Sequence, residues 1–282
     1  MFKGFIIAAT LGFASVAMAD DFIIATGSEG GGYEALGYKV AASVKKQADK
    51  KGVAFDFEVL NTNGSLENIE LFNDGDAQAA IVQADALSVS APSRAYKSRS
   101  AHQEVIYWFA NKKNGFTDLE DIEGRKDVVM VLVDGSGASV TMNNFAIEDK
   151  GYQVNFDNAV LADDLYDAMD IVSEGLYEGK KVAGLLHVTR AGKISSELRE
   201  DFGSRIVIGE LTDSDFNDAL DENKEPLYTS CEVSKKTAAG FKTATTFKPD
   251  TLCMTAKVIY TTDFDDKKAK RVVRKGVTKA TR

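Results

Sequence analysis

Three short stretches combine glycine with hydroxyl or amide side chains where an apolar run gives way to a helix-like one. They are TGSEGGGY at 26–33, NTNGS at 61–65 and DGSGAS at 134–139. Glycine lets another molecule come close to the backbone, and a helix start offers unpaired N–H groups with a partial positive charge. The combination has the chemistry of a carboxylate or phosphate cradle. Glycines after a strand also serve as tight turns, and Ser28, Tyr33, Ser65, Ser136 and Ser139 could each be caps or surface hydroxyls. Three such turns in one chain, each at a strand end, argue against all of them being merely structural.

Familiar catalytic and nucleotide motifs do not fit. No Lys-Ser/Thr pair follows the first glycine run, which also fails GxGxxG in register, and GxSxG is absent. The chain has two histidines, His102 and His187, so a Ser-His-Asp arrangement has little to draw on. Without a CxxC pair, and with those histidines far apart in sequence, no metal site is expected. No cofactor is expected either.

The elements that must hold these turns alternate. Phe22 to Thr26, Phe55 to Leu60, Ala79 to Gln83, Val105 to Phe109, Val128 to Val133, Val182 to Leu186, Ile206 to Ile208 and Leu252 to Tyr260 read as strands. Helical spacing recurs over Tyr33 to Lys51, Ser65 to Phe72, Val140 to Asp149, Asp163 to Glu174 and the basic tail from Lys267. Thr117-Asp118-Leu119-Glu120 matches a helix capping box. Strands alternating with helices predict parallel βαβ units, and in open α/β sheets ligands bind beyond the carboxyl ends of the strands. Three prolines and no low-complexity linker favour two intimately joined lobes over tethered domains.

Residues 1–19 read as a secretory signal peptide: Lys3, an apolar stretch from Gly4 to Val16, then Ala17-Met18-Ala19, with cleavage after Ala19. The apolar part falls short of the about 20 residues that span a bilayer. An exported protein of the periplasm is therefore expected. Cys231 and Cys253 are the only cysteines, and in an oxidising compartment a disulfide between them is the default, with two buried free thiols as the alternative. A net charge of −9 argues against a nucleic-acid or anionic-membrane partner.

These residues resemble the TAXI-type solute receptors of TRAP transporters. TGSEGGGYEALG is similar to that family's TGGTGGTYYPLG, and NGSLENIELFNDGDAQAAIVQADAL follows its GGSVENLRLLASGEADLAIVQSD. GRKDVVMVLVDGSGAS resembles its GKRVNVGPPGSGTE. The resemblance implies a two-lobed periplasmic-binding-protein type II fold, each lobe a mostly parallel sheet flanked by helices. Residues 20–105 with 227–282 would form one lobe and 106–226 the other. It also implies a non-enzymatic receptor, a monomer, that captures a small polar solute such as glutamate or a dicarboxylate and delivers it to integral-membrane transporter subunits. Carried over by position, the contacts are Ser28, Gly31, Gly32, Tyr33, Asn63, Gly64, Ser65, Gln83, Ser136, Gly137 and Ser139. Arg190, and His187 beside it, follow a second-lobe strand, and Arg190 could clamp a carboxylate.

Departures from the pattern sharpen the expectation. Glu29 stands where the family has threonine, Glu34 and Ala35 replace tyrosine and proline, and Asn63 replaces a glycine. A carboxylate beside an anion cradle disfavours a second anion, so Glu29 either points to solvent or meets a positive group on the ligand, which favours a zwitterion. The segment His102 to Asn111 is shorter than the family's connection into the second lobe, as if a first-lobe strand were missing or reorganised. An ABC-importer receptor, a periplasmic sensor, an exported hydrolase and a non-binding scaffold or adhesion protein are the rival readings.

Overall fold

A computed structural model describes residues 20–221, 224–246 and 248–282; the leader reading for 1–19 lies outside the described residues. In chain order the first half runs β1 (Asp20–Ala25), α1 (Gly32–Asp49), β2 (Phe55–Leu60), α2 (Ser65–Asp74), β3 (Ala79–Gln83), α3 (Ala86–Val89), β4 (Tyr96–Asn111), β5 (Val128–Val133) and α4 (Gly137–Glu148). The second half runs α5 (Gln153–Asp157), β6 (Val160–Ala162), α6 (Leu165–Glu174), β7 (Leu176–Tyr177), β8 (Lys180–Arg190), α7 (Ser196–Phe202), β9 (Ile206–Ile208), β10 (Thr229–Glu232), β11 (Asp250–Thr261) and α8 (Lys267–Ala280).

The strands join in one path, β2-β1-β3-β11-β4-β8-β5-β6. At one end β2, β1 and β3 are parallel, and at the other β8, β5 and β6 are parallel. Between them β11 and β4 pair antiparallel with each other and with their neighbours β3 and β8. Tyr96 to Ser100 pair with the end of β11 in the first lobe, whereas Glu104 to Ala110 pair with β8 in the second. The strand expected at Val105 to Phe109 is thus the inner half of a 16-residue strand. Its outer half carries no apolar pattern to read, because Lys97, Arg99 and Ser100 are exposed there. No strand is lost from the connection; β4 itself makes the crossing.

The apolar cores follow this division. Phe22 and Ile24 of β1 pack with Val40 and Val44 of α1 and with Val272, Val273 and Val277 of α8. On α1, Leu36, Val40, Val44 and Ala48 fall on one helical face, and burying a valine or leucine side chain contributes roughly 1.5–3 kcal/mol. Here α1 and α8 meet backbone to backbone, because a Cβ on Gly276 would stand 2.6 Å from Val44 Cα. The sequence reading puts the chain from 227 onward in the first lobe, but Leu227, Tyr228, Leu252 and Met254 pack with Trp108, Met130, Phe145 and Phe216 in the second. They do so because β11 crosses the lobes like β4, so the return to the first lobe comes near Ala256, where β11 takes up β3. The capping box also shifts by one residue: Asp118 caps a 3-10 turn, Leu119–Ile122, with Asp121 as its reciprocal partner.

Cys231 and Cys253 form a disulfide between β10 and β11, with Cα atoms 5.9 Å apart. For a loop of this length the chain-entropy model gives roughly 3 kcal/mol. Replacing both cysteines by serine should lower the unfolding free energy in urea by about that amount without changing the secondary-structure spectrum. An unchanged midpoint would show that the bridge adds nothing to the packing of β10 on β11.

Candidate functional site

The first-lobe turns and the second-lobe turns face one another across a cavity of about 830 Å³. Ser28, Glu29, Gly31, Gly32 and Tyr33 line it from the first turn, Asn63, Gly64 and Ser65 from the second, Gln83 from the end of β3, and Ser136 and Gly137 from the other lobe. His187 lines the opposite wall. Of the residues expected at the site, Ser139 and Arg190 are not among the lining ones. Ser139 turns its hydroxyl back toward the Val133 carbonyl at 3.5 Å. Arg190 is exposed at the end of β8, and its Cβ lies 3.2 Å from where a Gly32 Cβ would be, so its stem packs on the start of α1.

Five helices start at the cavity. α1, α2 and α4 have no side-chain cap, whereas α6 and α7, whose first turns also line it, are capped by Asp164 and Ser195. At α2 the expected cradle is used differently. The Leu66 and Glu67 N–H groups donate to the Gly135 carbonyl of the opposite lobe at 3.2 and 3.4 Å. Asn63 Nδ2 likewise donates to the Asp163 carbonyl at 3.2 Å. This crossing requires Gly64, at φ +134°, where an added Cβ would also meet Ser136 Cα at 3.5 Å. Gly137 packs directly on the Gln83 amide, which a side chain there would have to displace. The second turn therefore ties the lobes together across the cavity, leaving the starts of α1 and α4 as the uncapped ends that face it.

Sequence reasoning missed Glu104, which is 1 % exposed and lines the cavity from the point where β4 passes between lobes. Tyr33 OH donates to its Oε2 at 2.8 Å, while Oε1 faces His102 Nε2 at 3.6 Å, beyond hydrogen-bond range. Burial first, then the Glu104 charge, hold the Tyr33 phenol well above its ordinary range, so it stays a donor. Glu29 is exposed among the lining residues, and Asp164, Lys193 and Glu197 complete the charged lining. Burial holds the His187 imidazole down to about 4, so it is neutral near pH 7 and offers a hydrogen bond rather than a charge. The signal for Glu104 is a lone acid entering the apolar run VIYWFA, but its exposure to a cavity depends on the crossing of β4.

Behind the cavity a second buried group links the lobes. Asp85, at the end of β3, accepts from Thr141 Oγ1 of α4 at 2.7 Å and from Tyr228 OH at 2.9 Å, both on Oδ2; Oδ1 is buried without a hydrogen-bond partner. Asn144 Nδ2 donates in turn to Tyr228 OH at 3.1 Å. Burial pushes Asp85 up to about 6 against the lowering effect of those donors.

The architecture defines a class: two α/β lobes joined by crossing strands around a cleft, the type II periplasmic-binding fold. Two solved structures show it at a TM-score of 0.50. The GluR0 ligand-binding core in complex with L-glutamate is 11% identical, over 95% of this chain and 100% of that one. The effector-binding domain of QuiR in complex with shikimate is 9% identical, over 94% and 98%. The reduced form of the regulatory domain of OxyR2 from Vibrio vulnificus aligns at a TM-score of 0.42, with 9% identity over 93% of this chain and 96% of that one. In sequence, residues 24–154 match the NMT1-like family. Comparison with curated proteins gives no match.

The linkage for Asp85 has a definite sign. Its folded-state value lies above the model-peptide one, so this group stabilises the fold most below about pH 4 and loses that contribution as pH rises to about 6, by roughly 3 kcal/mol in all. Asp85→Asn has no such titration. Urea unfolding from pH 4 to 7 should show the variant gaining on the parent by up to about 3 kcal/mol across this window; a constant difference would mean that Asp85 titrates normally.

Proposed function

We propose that the protein is an exported solute receptor of the TAXI type, which binds a small zwitterionic solute between its lobes and presents it, unchanged, to a TRAP-type membrane transporter. The observation that carries this reading is the cavity itself. Uncapped starts of α1 and α4 supply N–H donors for an anionic head, while the buried Glu104 supplies a counter-charge for a cationic one. A plain dicarboxylate would set a second anion against Glu104 and Glu29. An amino acid of the size of aspartate or glutamate satisfies both ends.

Binding energy would act on the lobe arrangement, since β4 and β11 alone cross as long strands and the contacts of Gly135 with α2 form only when the lobes meet. The closed form is then the one that the transporter distinguishes. The match to the NMT1-like family over residues 24–154 supports the receptor reading, and L-glutamate and shikimate, the ligands of the two similar structures, both carry a carboxylate. The leader-like segment before Asp20 supports export to the periplasm, with cleavage after Ala19.

Native mass spectrometry of gently purified protein tests the receptor reading directly: a co-purifying ion of amino-acid mass is expected, and a dicarboxylate without an amine would refute the zwitterion. Calorimetry with L-glutamate and glutarate, which differ by the ammonium group, tests the role of Glu104. Wild type should favour glutamate. Glu104→Gln, which keeps an acceptor for Tyr33, should weaken glutamate about tenfold or more, as expected on loss of a charge-assisted hydrogen bond. Equal binding of both compounds by both proteins would remove Glu104 from recognition.

A further inference from the structure

The net charge of −9 conceals a strongly basic face. From Lys267 to Arg282, α8 and the residues after it carry eight basic side chains and no acidic one. Beside it, α1 and the two residues after it carry five lysines between Lys39 and Lys51 against two acids: Glu34, in the first turn, accepts from the Gly30 N–H, and Asp49 pairs with Lys45 at 3.4 Å. The two helices pack through Val44, Gly276 and the β1 core, so their apolar sides are buried together and the charged sides turn outward together. Lys46, Lys50, Lys268, Arg271, Lys275 and Lys279 are all exposed, and no ion pair satisfies a basic side chain of α8 among the described residues. Other acids lie on neighbouring segments: Asp263, Asp265 and Asp266 precede α8, where Asp266 caps it, and Asp56 and Glu58 lie on β2.

Like charges held this densely repel one another and cost the fold stability, so their retention on one surface points to a polyanionic partner. The kind of partner follows from residue type. Ten of the thirteen basic side chains are lysine. Lysine is depleted in protein–protein interfaces, which are built on aromatic, methionine and arginine anchors in pockets. Attraction to anionic lipid headgroups needs no pocket and increases with each lysine or arginine held near the surface. Among the large apolar side chains that are exposed, Tyr38 alone lies on these helices, and tyrosine is a residue type enriched at the membrane interface.

We infer that the outer face of α1 and α8 is a docking surface for a bilayer carrying anionic phospholipid headgroups. This inference is independent of the solute reading, because the face lies on the far side of these helices from the core that they share with β1. Docking there would hold the receptor at the membrane through its first lobe while leaving the second lobe free to move. It also revises the expectation drawn from net charge: an average over the chain does not describe one face.

Co-sedimentation tests it, using the chain from Asp20 onward, which is the whole of the described fold, with vesicles of phosphatidylcholine alone and of phosphatidylcholine mixed with phosphatidylglycerol. Binding to the mixed vesicles at low salt is expected, with none to phosphatidylcholine and loss of binding at high salt. Lys268→Gln, Arg271→Gln, Lys275→Gln and Lys279→Gln together should lower the partition coefficient by about fivefold for each charge removed. Lys180→Gln with Lys181→Gln, on exposed β8 positions, should leave it unchanged. Failure to bind mixed vesicles, or equal losses in both variants, overturns the proposal. So does displacement of the bound protein by poly-L-glutamate or duplex DNA at matched charge, which would mark a face for acidic polymers rather than a bilayer. Solute binding, followed separately by calorimetry, should be unaffected by the α8 substitutions.

Discussion

Two long antiparallel strands, β4 and β11, hold the molecule together across its middle. Each is hydrogen-bonded in both halves: β4 passes from β11 to β8, and β11 from β10 and β4 to β3. Backbone ladders of this kind resist sliding but can twist, so two parallel half-sheets joined through them keep their register while changing their mutual angle. The cavity follows, since the carboxyl ends of β1, β3 and β5 open toward the same gap. Glu104 also follows, because it sits where β4 leaves one half-sheet for the other, paired with Met254 of β11 on one side and Arg190 of β8 on the other.

The polar groups near this crossing separate into two layers. In the cavity layer, the uncapped helix starts and Glu104 with Tyr33 remain turned toward whatever occupies the cleft. Behind it, Asp85, Thr141, Tyr228 and Asn144 form a chain of hydrogen bonds that joins the end of β3 to α4 and to the chain leading into β10. A buried carboxylate with one oxygen unpartnered is costly, and the hydrogen bonds to its other oxygen fix the geometry of the groups that donate them. Here the geometry is the mutual position of the lobes. Gly64 and Gly137 serve the same end from the other side: the first holds a backbone conformation that side chains disfavour, and a side chain at the second would drive Gln83 away.

Much of the site is legible without the fold. Glycine after a strand, followed by helical periodicity, has few explanations, and the resemblance of NGSLENIELFNDGDAQAAIVQADAL to a receptor family narrows them further. Linear proximity misleads in two places. Arg190 ends a strand whose His187, Val188 and Thr189 line the cleft, yet it is exposed and is not among the lining residues itself. NTNGS reads as a second cradle, and the opposite lobe alone reveals that the N–H groups of Leu66 and Glu67, just after it, meet the Gly135 carbonyl.

The alternation of strands and helices, the three glycine turns, the pairing of two lone cysteines and the concentration of lysine in the tail can all be read from the chain as written. These are local signals: periodicity, turn chemistry and composition act within a few residues of one another. The crossing of β4 and β11, the burial of Glu104 against a cavity, the link that Asp85 makes between lobes, and the placing of the basic tail beside the lysines of α1 emerge with the folded molecule. Each of those depends on residues dozens or hundreds of positions apart. Such contacts follow from the path of the chain, for which a single strand's pattern of polar and apolar residues carries no sign.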